Sequence, residues 1–60
     1  MTVEHAHLIF SMYRNTLLRL DNLPRDRANP AWKAMKRLHD HWDARWMAIP
    51  IAVIAKMRFA

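Results

Sequence analysis

The sequence has no cysteine and no glycine, only three prolines, and five acidic against ten basic residues. Without cysteine there is no disulfide framework and no thiolate metal site. Without glycine there is no phosphate-binding loop and no dinucleotide fingerprint. The strongest apolar run, Trp46 to Ala55, has ten residues and is interrupted by Pro50, well short of the ~20 needed to cross a bilayer. The opening MTVEHAH lacks a basic region followed by a long apolar core. No secretory signal is therefore expected, and a cytoplasmic location is the default.

Groups able to carry chemistry are scarce as well. Ser11 and Thr16 have no base beside them in sequence. Of the acidic residues Glu4, Asp21, Asp26, Asp40 and Asp43, only Asp40 and Asp43 fall within one helical turn, and they point in different directions. His5 with His7, and His39 with His41, are spaced i, i+2. That spacing puts each pair on opposite sides of a helix. Zinc ligands on one helix recur at i, i+4, and His39 with Asp43 lacks the third ligand a site requires. No enzyme, metal or cofactor is expected.

Hydrophobic residues are plentiful, at 53% of 60 residues. A chain this short buries only about 60% of its unfolded surface, so its own core is marginal. Small domains without disulfide or metal commonly gain stability by oligomerising. The chain is organised around Asn29 to Ile49. Asn29 is a good N-cap, and Pro30 falls at the first helical position, where its missing N–H costs nothing. Trp32, Met35, His39, Trp42, Trp46 and Ile49 then recur at steps of three and four, which is one helix face. Ala31 and Leu38 widen that face, and Lys33, Lys36, Arg37 and Asp40 lie opposite. This predicts an amphipathic helix over 30–49. The tryptophans on its stripe are read as core in preference to a stacking platform.

Before it, Thr2 caps a second helix predicted over 3–22. Its seam is Val3, Ala6, Phe10, Tyr13, Leu17 and Leu20, with Ile9 beside it. Between the helices, residues 23–29 hold Pro24, Asp26 and Asn29, turn formers that end the first helix and fold the second back on it. Phe10, Tyr13, Leu17 and Leu20 should then meet Trp32, Met35, Leu38 and Trp42. Pro50 breaks the second helix. The segment 50–60 is apolar and is read as a short third helix, because a lone strand would have nothing to pair with. The fold class is all-α: an antiparallel hairpin with a short C-terminal helical segment. A hairpin alone leaves three indoles partly uncovered, so a homodimeric four-helix bundle is expected.

Two apolar patches and one basic cluster remain as candidate surfaces. Ile51, Val53, Ile54, Met57 and Phe59 make the tail a candidate for docking in a partner. Leu8, Met12 and Leu18 fall off the first helix's seam and form a second patch. Scattered surface hydrophobes are common, so this patch weighs evenly between bland surface and contact face. Arg25, Arg27, Lys33, Lys36 and Arg37 lie towards the loop end. They suit a solvated cap, an acidic protein or phosphates. No nucleic-acid-binding motif accompanies them.

The expected function is a small helical interaction protein that binds a protein target and modulates it, most simply by inhibition. Phage and mobile-element regulators of this size and type offer an analogy only. The alternative is a dimeric nucleic-acid-binding bundle using the basic loop end. Basic, tryptophan-bearing helices on an anionic membrane surface rank third.

Overall fold

A computed structural model describes residues 1–58. Phe59, one of the tail residues singled out above, lies outside the described residues. Three helices follow one another: α1 Val3–Asp21, α2 Pro30–Met47 and α3 Ile51–Ile54. There is no strand among the described residues. α1 begins where the Thr2 side chain accepts from the His5 N–H, and Glu4 sits in the first turn. A carboxylate there complements the helix dipole. α2 begins where Asn29 accepts from the Ala31 N–H at 2.9 Å, with Pro30 at its first position. The connecting loop is held by its own bonds. The Asp26 carboxylate accepts from the Ala28 N–H at 2.9 Å, and the Asn29 N–H donates to the Asp26 carbonyl at 3.0 Å.

Contacts between α1 and α2 descend along one helix as they ascend the other. Phe10 meets Trp46, Tyr13 meets both Trp46 and His39, and Thr16 meets His39. The hairpin is therefore antiparallel. No helix among the described residues is long and apolar enough to cross a membrane.

Expectation and structure differ at three places. α2 ends at Met47, with Ala48 as its C-cap, two residues short of Ile49. A residue before proline is pushed out of the helical region, so Ile49 leaves the helix. It turns inwards instead and is buried. Leu38, expected to face α1, is 42% exposed, because it sits on the flank of the stripe defined by Met35, His39 and Trp42. Thr16, a polar residue beside the seam, is buried at 3% exposure.

The core lies at the open end of the hairpin. Ala6 and Ile9 of α1, Ile49 and Met57 form it, flanked by Val3, Phe10, Trp42, Trp46, Val53 and Ile54. The single turn of α3 folds the chain back so that Met57 reaches α1. The Met57 N–H closes that turn on the Ile54 carbonyl at 3.0 Å, and the Arg58 N–H points to His7 Nε2 at 3.4 Å. The tail is thus the third wall of the core.

Candidate functional site

The centre of the hairpin holds a cross-helix polar contact. Thr16 Oγ1 lies 3.0 Å from the Met12 carbonyl, 2.9 Å from the Tyr13 carbonyl and 3.1 Å from His39 Nδ1. A hydroxyl has one proton, and two carbonyls of its own helix lie within its reach. The same oxygen lies within hydrogen-bond distance of His39 Nδ1, and the imidazole tautomer decides which of the two donates. Back-bonding to its own helix is what lets a threonine occupy a buried helix position. His39 thus meets Thr16 through Nδ1 and Tyr13 through its ring. A hydroxyl beside an imidazole is the arrangement that activates a nucleophile. This hydroxyl, however, is almost fully buried and its proton is engaged. The pair sets the register of the two helices.

Around it lies an aromatic cluster. The Phe10 and Trp46 rings are 4.9 Å apart, Tyr13 and Trp46 are 6.0 Å apart, and Tyr13 and His39 are 5.4 Å apart. All four residues are only half-buried. Trp42 is engaged on another side. His41 meets it edge-on at 5.1 Å, and the Arg45 guanidinium lies 5.6 Å from its ring centre. Its indole N–H is buried and meets no acceptor among the described residues. Such an unmet donor costs about 1–3 kcal/mol, a burden on an already small core.

The apolar candidates separate sharply. Met57, a docking candidate by sequence, is 7% exposed and packed in the core. Val53 and Ile54 are half-buried against the same core. Ile51 alone of the described tail candidates is open, at 83% exposure, next to the exposed Met47. The second patch is available on α1: Leu8 is 56% and Leu18 49% exposed, with Met12 half-buried between them.

The basic candidates are not gathered into one group. Arg25 and Arg27 line a cleft of about 360 Å³ at the loop end, together with Leu20, Asp21 and Trp32. Lys33, Lys36 and Arg37 do not line it. Lys36 forms an ion pair with Asp40 one turn along α2. No group of three His, Asp or Glu residues that could hold a metal ion converges among the described residues.

No protein-family model, curated protein or solved structure matches the chain.

Proposed function

We propose that the chain is a helical interaction module that works as a homodimer and modulates a protein partner, most simply by inhibiting it. The observation that carries this reading is the aromatic cluster of Phe10, Tyr13, His39 and Trp46, only half-buried in an elongated molecule. The molecule measures 39 × 21 × 13 Å. The radius of gyration is 13.2 Å, against ~10 Å for a compact domain of this length. The accessible surface is 4765 Å², roughly 600 Å² above the expectation for a folded monomer of this mass. A standard interface covers about 800 Å² on each partner. A second copy laid on the cluster of Phe10, Tyr13, His39 and Trp46 would cover a surface of that order and give the four-helix bundle.

The partner surface is then the outer side of α1, where Leu8, Met12 and Leu18 lie away from the core. Ten residues separate the two leucines, about 15 Å along a helix. That span suits apolar anchors for a groove on a target. Nucleic-acid contact through Arg25, Arg27, Lys33, Lys36 and Arg37 together is the weaker reading, since Lys36 is paired and Lys33 and Arg37 lie outside the cleft.

The test compares two double variants as bait. Leu8→Glu with Leu18→Glu is expected to keep the wild-type mass and helicity and to lose the captured protein partner. Lys33→Ala with Arg37→Ala is expected to keep both. The partner's activity should fall on adding wild-type chain and stay unchanged on adding the leucine variant. Equal capture by the leucine variant and the wild type would contradict the reading.

A further inference from the structure

The three tryptophans differ in what their rings touch. Trp46 stacks in the aromatic cluster, and Trp42 is flanked by His41 and Arg45. Trp32 has no ring or cation against it among the described residues. It lines the loop-end cleft, far from the core at the other end of the hairpin, and is half-buried there. The same cleft is lined by Arg25, Arg27, Leu20 and Asp21. Two arginines and an aspartate share this small space, yet the ion pair formed among the described residues is Lys36 with Asp40. Asp26, in the same loop, accepts from the Ala28 N–H. Among the described residues no ion pair or hydrogen bond holds the side chain of Arg25 or Arg27.

We infer that this cleft binds a nucleoside phosphate, either free or as one residue of a single strand, with its base on the Trp32 indole and its phosphate between Arg25 and Arg27. Each part of the ligand answers one feature of the cleft. An indole that lines a cleft without a ring partner is a stacking platform for a planar base. Guanidiniums match phosphate oxygens in a bidentate fork. The Asp21 carboxylate accepts from a ribose hydroxyl or an exocyclic amine, which inorganic phosphate cannot supply. The volume of about 360 Å³ falls at the lower end of small-molecule sites, which run from about 300 to 1,000 Å³. It fits one nucleotide, not a duplex. The loop that carries the arginines is braced by Asp26 and Asn29, so the site needs little ordering on binding. This inference does not depend on the partner surface of α1.

The experiment is calorimetric titration of the full chain with adenosine monophosphate, with inorganic phosphate and with a short single-stranded oligodeoxynucleotide. The nucleotide is expected to bind at least tenfold more tightly than inorganic phosphate. A further gain for the oligonucleotide would identify a strand as the source, and equal affinity would identify the free nucleotide. Arg25→Ala with Arg27→Ala should weaken binding at least tenfold. Trp32→Leu, which keeps apolar bulk, should weaken it about tenfold, the fold-change of one lost stacking contact, and Trp32→Phe should restore most of it. Circular dichroism checks that each variant stays helical. Binding of phosphate as tight as nucleotide, equal binding by Trp32→Leu and wild type, or no heat with either nucleotide probe would overturn the inference.

Discussion

Replacing Met57 with aspartate is expected to detach the tail and abolish the cooperative thermal transition of the chain. The side chain of Met57 is buried beside Ala6, Ile9 and Ile49. Removing a buried methionine costs about 2–5 kcal/mol. An unpaired carboxylate in its place adds the penalty of a buried charge. A single core in a chain of this size supplies only about 3–5 kcal/mol in all, so the substitution exceeds what the fold has. Ile51→Asp is the matching control, because Ile51 is 83% exposed and its loss should leave the melt nearly unchanged. The comparison is read by circular dichroism against temperature. If Met57→Asp melts like the wild type, the tail is not a wall of the core, and the docking role read from its sequence returns.

The second large effect is expected at Trp46. Its ring lies against Phe10 and close to Tyr13, and the residue flanks the buried core. Trp46→Ala should cost about 3–5 kcal/mol and leave the chain largely unfolded at room temperature. Trp32→Ala removes a ring of the same size but one with no ring partner and no place in the core. It should cost clearly less than Trp46→Ala, because the ring is half-buried and outside the core. Chemical denaturation followed by circular dichroism separates the two. Equal losses would mean that both indoles are core and that the loop-end cleft is a packing defect.

Much of this architecture was legible from local signals. Asn29 followed by Pro30 announces a helix start, Pro24 ends the helix before it, and the three-four spacing of Phe10, Tyr13 and Leu17 marks the inner face. Pro50 marks a break, but its effect on the residue ahead of it decides the end of α2. Ile49 fits the helical stripe by spacing and leaves the helix for a backbone reason. The burial of Met57 could not be read from spacing, because the tail is apolar apart from Lys56 and Arg58 and periodicity does not say what covers it. Thr16 was passed over for its polarity. Its hydroxyl turns back on the carbonyls of its own helix, so the residue can be buried with its polar group paired. The pairing of His39 with Thr16 depends on the register of two helices, which the sequence of either one does not contain. The basic residues are adjacent in sequence, yet they divide between a loop cleft and the outer side of α2. Composition cannot make that distinction.

The claim on which the rest depends is that this thin hairpin is half of a four-helix bundle. Sedimentation equilibrium of the full chain over a wide concentration range tests it most directly. The account predicts a species of twice the 7.2 kDa chain mass, dissociating on dilution together with loss of helicity. A stably folded species at the mass of one chain across the whole range would contradict it, and would mean that the half-exposed aromatic cluster stays folded with water on its open face.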